Sequence, residues 1–128
     1  MSTFTIAQIA IAANILQREC HEANKSWWTD GDGKSIKHNP LCFSNKLMLI
    51  VSEISEAMEG DRKSIMDDKL PHREMREVEL ADAVIRIFDL AGGYSLDLAG
   101  AIVEKMEFNA KRADHKPENR AKKNGKAY

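Results

Sequence analysis

Cysteine is nearly absent: Cys20 and Cys42 are the only two, too few for a disulfide framework. No apolar run approaches the roughly 18 residues of a transmembrane helix, because Glu and Asp interrupt even the richest stretches, so no membrane partner is expected. The N-terminus lacks the basic, apolar and small-residue segments of a signal peptide, and with the scarce cysteines this gives the expectation of a cytoplasmic protein. The formal net charge is only -1, which exerts little overall pull on nucleic acid. No internal repeat, low-complexity segment or alternating apolar pattern demands a strand. What remains is a chain of 128 residues with 43% hydrophobic and 30% charged content, which predicts one soluble domain over residues 1–128, large enough to bury a core without staples.

Four stretches carry a helical period. From Thr5 to Asn24, Ile6, Ile9, Ala13, Leu16 and Cys20 recur at three- and four-residue steps, with Thr5 and Gln8 placed for a capping box. Asn45 to Glu59 sets Leu47, Ile50, Val51, Ile54, Ala57 and Met58 on one side and ends at Gly60, a natural C-cap residue. Arg73 to Ala91 is apolar nearly all round and stops at Gly92 and Gly93, which predicts a helix at the centre of a bundle. Ser95 is placed to cap a fourth helix reaching Arg112, with Leu98, Ile102, Met106 and Ala110 inward. Between the first two helices, Lys25 to Ser44 reads as a long loop bearing Trp27 and Trp28, and loops of that length tend to be functional. Asp61 to His72, broken by Pro71, reads as a connection with at most a short turn around Ile65 and Met66. The fold class is therefore all-α, a bundle of about four main helices. The C-terminus, about 113–128, is a basic tail: between Lys111 and Lys126 the seven cations Lys111, Arg112, Lys116, Arg120, Lys122, Lys123 and Lys126 face only Asp114 and Glu118.

The chemical signal is acidic. Glu53-Ile-Ser-Glu56 on the second helix and Glu79-Leu-Ala-Asp82 on the third are two pairs spaced by three, and each pair projects its carboxylates to one side of its helix. Glu79 and Asp82 sit among Val78, Leu80, Ala81, Ala83 and Val84, where acids need a reason. Four convergent, partly desolvated carboxylates call for protons, a cationic partner or a metal ion, and oxygen-only ligands suit Mg²⁺, with Mn²⁺ able to substitute. The competing reading makes them solvated acids in salt bridges with Lys46, Arg76 or Arg86.

These motifs, in this order, resemble the MazG-like all-α nucleoside triphosphate pyrophosphohydrolases, a superfamily that includes dimeric dUTPases and dCTPases. The segment Lys46-Leu-Met-Leu-Ile-Val-Ser-Glu53-Ile-Ser-Glu56 looks like the family's first acidic helix, and Glu79-Leu-Ala-Asp82-Ala-Val-Ile-Arg like its second. Lys105-Met-Glu-Phe-Asn109-Ala-Lys-Arg112 and the closing Gly125-Lys126-Ala-Tyr128 resemble short phage-type and integron-type members. One departure is Ser52, which stands where the family often has a further acid. The resemblance implies an active site between the two acidic helices and a dimer or tetramer. It also implies metal binding by Glu53, Glu56, Glu79 and Asp82, and hydrolysis between the α and β phosphates of a nucleoside triphosphate, with a weak preference for a deoxynucleotide. Glu53 or Glu56 would orient or deprotonate the water.

Lys105, Asn109 and Arg112 fall on one helical face and are the candidate phosphate ligands, with Lys126 beside them. One of the two indoles is expected in the core, and Trp28 is taken as the one that stacks on the base. Asn14 and Gln17 are candidates for base edges, His21 and Asn24 for sugar or phosphate. A zinc site from Cys20, His21, His38 and Cys42 lacks paired C-x-x-C hooks, and a di-iron bundle would need Glu-x-x-His pairs that the chain does not contain. The alternative outside enzymology is a small helical module that binds nucleic acid or a protein through the basic tail.

Overall fold

The computed structural model describes residues 1–112 and Glu118. Among these residues the order is α1 (Thr3–Ala23), two short 3-10 turns (Lys25–Trp28 and Ile36–His38), α2 (Cys42–Lys63), α3 (Met75–Gly93) and α4 (Leu98–Lys111). They contain no strand, only isolated bridges between Thr29 and Ser35 and between Met66 and Glu74. The all-α class predicted from periodicity is what the chain forms. No helix among the described residues is long and apolar enough to cross a membrane.

The chain divides into two compact units, one spanning Ile15–Leu96 and the other combining Met1–Asn14 with the segment from Asp97 onward. In the first unit, α2 and α3 form a helical hairpin. Gly60 near the end of α2 faces Met75 at the start of α3, and earlier in α2 Glu53 reaches Arg86 further along α3, so the helices run antiparallel. Gly60 does not end α2 as expected; a Cβ there would stand 2.8 Å from Met75 Cβ, so glycine permits the close approach of the two helices. The helix continues to Lys63 and is capped by Ser64 in the left-handed conformation at φ 52°. Likewise α3 runs through Gly92 and Gly93 rather than stopping before them, and a side chain at Gly93 would overlap the Trp28 ring.

The core of this unit gathers Trp28, Cys42, Ile50, Ala83 and Leu90, with Ile36 and Tyr94 against it. Tyr94 meets Trp28 and Phe43 edge-on at 5.7 and 5.1 Å between ring centres. The loop predicted between the first two helices is thus tied down by one of its own tryptophans, and Lys37 Nζ donates to the Gly93 carbonyl at 2.9 Å. In the other unit, Asp97 rather than Ser95 caps α4, accepting from the Gly100 N–H at 3.0 Å; Ser95 at φ 51° belongs to the turn that ends α3. At the N-terminus, Ser2 Oγ accepts from the Thr5 N–H, the cap assigned in the sequence to Thr5.

One prediction about packing changes in kind. The apolar stripe expected on α2 is split: Ile50 and Ala57 are buried, whereas Leu47, Val51, Ile54 and Met58 are 42–60% exposed. On α3, Leu80, Val84 and Ile87 are likewise exposed at 39–54%, so the helix expected at the centre of a bundle is covered on one side only within a single chain. At 100° per residue each of the exposed α2 residues lies about 140–180° around from Glu56, and Leu80, Val84 and Ile87 lie about 140–160° around from Asp82. Glu56 and Asp82 line one cavity, so the two apolar stripes share the opposite side of the hairpin.

Candidate metal centre

Glu53 and Glu56 sit one turn apart on α2, and Glu79 and Asp82 one turn apart on α3. The hairpin brings one carboxylate oxygen each of Glu53, Glu56 and Glu79 within 4.8 Å of one another. This is the one cluster of three or more His, Cys, Asp or Glu side chains close enough to share an ion among the described residues. Asp82 is half-buried and lines the same cavity, about 550 Å³ in volume, together with Asp67, Asp68, Lys69, Leu70 and Val78.

Burial grades the triad. Glu79 is only 9% exposed, and its Oε2 is buried with no hydrogen-bond partner among the described residues. An ionised carboxylate in that position is costly. Burial first, and then the neighbouring Glu53 and Glu56, push the Glu79 carboxyl up to about 8. Burial also pushes Glu53 upward, but the neighbouring Glu79 carboxyl and the hydrogen bond from Arg86 outweigh that and hold it below the ordinary carboxylate range. Burial and the charge of Glu53 raise Asp82. Three carboxylates at this separation cannot all ionise without help, and burial makes Glu79 the one whose neutral form is favoured.

Of the three cations named as salt-bridge partners, one reaches this site. Arg86 Nε lies 2.9 Å from Glu53 Oε1, with both side chains largely buried. Lys46 instead covers the Trp28 ring at 4.1 Å, and Arg76 pairs with Asp61 and Glu74. Arg86 also stacks over Trp27, 5.1 Å from the ring centre. Trp27, Arg86, Ile36, Asn39, Asn45 and Leu49 are among the walls of a second cavity of about 420 Å³. Arg86 therefore links the Trp27 cavity, which it lines, to Glu53 on the wall of the acidic one.

The indoles are partitioned the other way from expectation. Trp28 is 6% exposed, and its Nε1–H donates to Asp89 at 2.9 Å, while Trp27 is 47% exposed at the cavity wall. Asp89, itself 3% exposed, also holds His21 Nδ1 at 2.9 Å, which places His21 in the packing around Trp28. Asn24 bonds the Cys20 carbonyl, and Gln17 Nε2 donates to the Leu96 carbonyl while its Oε1 is buried without a partner. Asn14 is exposed and belongs to the other unit. So do Lys105, whose ammonium sits 4.7 Å over Phe108, and Asn109, which accepts from Arg112 at 3.4 Å. Lys126 lies outside the described residues, as do all of residues 113–128 except Glu118.

Three residues of the site were not legible beforehand as part of it. Asp67, 6% exposed, accepts from the Lys69 and Leu70 N–H groups and so shapes the connector that walls the acidic cavity. Asn39, from the segment read as loop, and Asn45, read as the start of the second helix, both line the Trp27 cavity; an Asn-Pro pair and an Asn at a helix start look like punctuation in sequence. Comparison of the chain with protein families, curated proteins and solved structures found no match.

Proposed function

We propose that this chain is a magnesium-dependent nucleoside triphosphate pyrophosphohydrolase of the MazG-like kind, cleaving a deoxynucleotide by preference to monophosphate and pyrophosphate. The observation that carries the reading is the buried, unpartnered Glu79 Oε2 within a triad of carboxylates on two facing helices. An all-oxygen donor set with a buried, unpartnered carboxyl oxygen fits a hard divalent cation, which would take the place of the Glu79 proton. Glu53, Glu56 and Glu79 would hold it, with Asp82 at the edge of the same cavity. Bound there, Mg²⁺ supplies charge neutralisation for the triphosphate and acidifies water.

The protein's own groups do the rest. Glu53 is largely buried whereas Glu56 is exposed in the cavity, so Glu56 is the member of its pair assigned to the water. Glu56 takes a proton from water as its oxygen attacks α-phosphorus; the bond from α-phosphorus to the bridging oxygen breaks, and pyrophosphate leaves with that oxygen. The Trp27 cavity takes the base, with the indole face for stacking and the Asn39 and Asn45 amides as donors and acceptors for its edge.

The same proposal includes a homodimer. Leu47, Val51, Ile54, Met58, Leu80, Val84 and Ile87 form one apolar face on a hairpin whose opposite face is acidic. A second copy of that face is its natural cover, since two hairpins packed through it make a four-helix core and leave both acidic cavities open.

The test is product analysis with the common NTPs and dNTPs and Mg²⁺, resolving mono-, di- and pyrophosphate, with Glu53→Gln and Asp82→Asn alongside. Monophosphate and pyrophosphate from the wild type, strongly reduced in both variants, is the expected result. No turnover of any nucleotide would overturn the proposal.

A further inference from the structure

Arg86 makes an unusual use of its guanidinium. Its Nε holds Glu53 at 2.9 Å, its plane lies over the exposed Trp27, and its two terminal nitrogens have no hydrogen-bond partner among the described residues. Four of its five N–H donors therefore stand unengaged at the wall of the Trp27 cavity. A planar fork in that state matches phosphate oxygens in geometry and charge. The carboxylate it occupies is one of the three that converge on a cation site.

We propose that Arg86 is a substrate-operated latch: in the resting protein it occupies Glu53, and when a nucleotide enters the Trp27 cavity it exchanges Glu53 for a phosphate, releasing that carboxylate to the divalent cation. This rests on the reading of the site as a metal-dependent nucleotide centre and adds an order to it. Arg86 opposes metal binding in the empty protein and favours nucleotide binding, so nucleotide and metal bind with positive coupling. The latch also gives the Trp27 cavity a say in the chemistry, since a phosphate compound without a base that fits the cavity leaves Arg86 on Glu53.

The predicted signature is a pair of effects of opposite sign, measured on the full-length protein without turnover. Mn²⁺ affinity is read by electron paramagnetic resonance in the absence of nucleotide. Affinity for the α,β-imido analogues of the four dNTPs is read by calorimetry at saturating Mn²⁺. In Arg86→Gln, Mn²⁺ should bind about threefold or more tightly than in wild type, because Glu53 is freed. The best-bound analogue should bind about tenfold or more weakly, because its phosphate loses a charge-assisted partner. Arg86→Lys, which keeps the charge without the fork, should fall between wild type and Arg86→Gln on both axes. A merely structural arginine would weaken both ligands on removal, and that result, or no change in Mn²⁺ affinity, overturns the latch. If the wild type binds both ligands and the opposite shifts are missing, the latch alone falls. If the wild type binds neither, the pyrophosphohydrolase reading falls and the latch with it.

Discussion

The two sides of the α2–α3 hairpin are built from the same helical turns and obey opposite rules. On one side Glu53, Glu56, Glu79 and Asp82 are brought together against their mutual repulsion, with Glu79 pushed up to about 8 by burial and by its neighbours. On the other, seven aliphatic or thioether side chains stand 39–60% exposed, uncovered by any other described residue. Each side is unfavourable in the isolated chain, one for want of positive charge and the other for want of an apolar partner. On the proposed reading, a cation would complete the acidic side and a second hairpin the apolar one. Each can be removed or blocked separately.

Glu79→Gln should break the comparison on the acidic side with the largest effect. The amide matches the protonated carboxyl in shape but cannot ligate as an anion, so turnover should fall about 10³-fold, a loss of about 4 kcal/mol of transition-state stabilisation. Metal-free thermal stability should be unchanged or slightly higher, measured by calorimetry. A parallel loss of stability would mean that Glu79 serves the fold instead. On the apolar side, Val84→Asp should weaken the dimer about 100-fold or more, read by sedimentation velocity at micromolar concentration. Because Val84 is 47% exposed in the single chain, the monomer should keep its helical circular dichroism, as surface substitutions usually do. A wild type that sediments as a monomer would remove that half of the comparison.

Trp27→Ala should raise KM for the preferred nucleotide by about tenfold and leave stability nearly untouched, the value of one stacking contact. Trp28→Ala separates the paired indoles, since it deletes a buried ring and the donor to Asp89 and should cost about 3–5 kcal/mol in denaturant unfolding. The smallest predicted effect is in the pH dependence. Glu79 has a folded value of about 8 against an ordinary 4.5, so between those values the folded state binds more protons than the unfolded state. Its contribution to metal-free stability is therefore complete below about 4.5 and is lost as pH rises through about 8. The melting temperature without metal should decline over that window by a few degrees more than that of Glu79→Gln, and saturating Mg²⁺ should remove the difference.

The spacing of Glu53 with Glu56 and of Glu79 with Asp82 was legible because a helix converts three residues into one face, which needs no tertiary information. The convergence of Glu53, Glu56 and Glu79 followed once the hairpin closed. Which tryptophan would be buried was not legible, because the answer lies in Asp89, 61 residues away from Trp28, and in Gly93, whose missing side chain makes room for the ring. Gly60 and Gly92 read as helix ends and are helix-packing positions, since composition does not tell a glycine needed for its conformation from one needed for its size. The stripe on α2 read as a single core face. Periodicity reports that a face is apolar and is silent on whether the same chain or another covers it.

The central claim is a particular bond cleavage, and turnover in H₂¹⁸O with Mg²⁺ and the preferred nucleotide tests it most directly. Mass spectrometry should find the label in the monophosphate and none in the pyrophosphate, as attack on α-phosphorus demands. Label in pyrophosphate, or released orthophosphate in its place, would contradict the account.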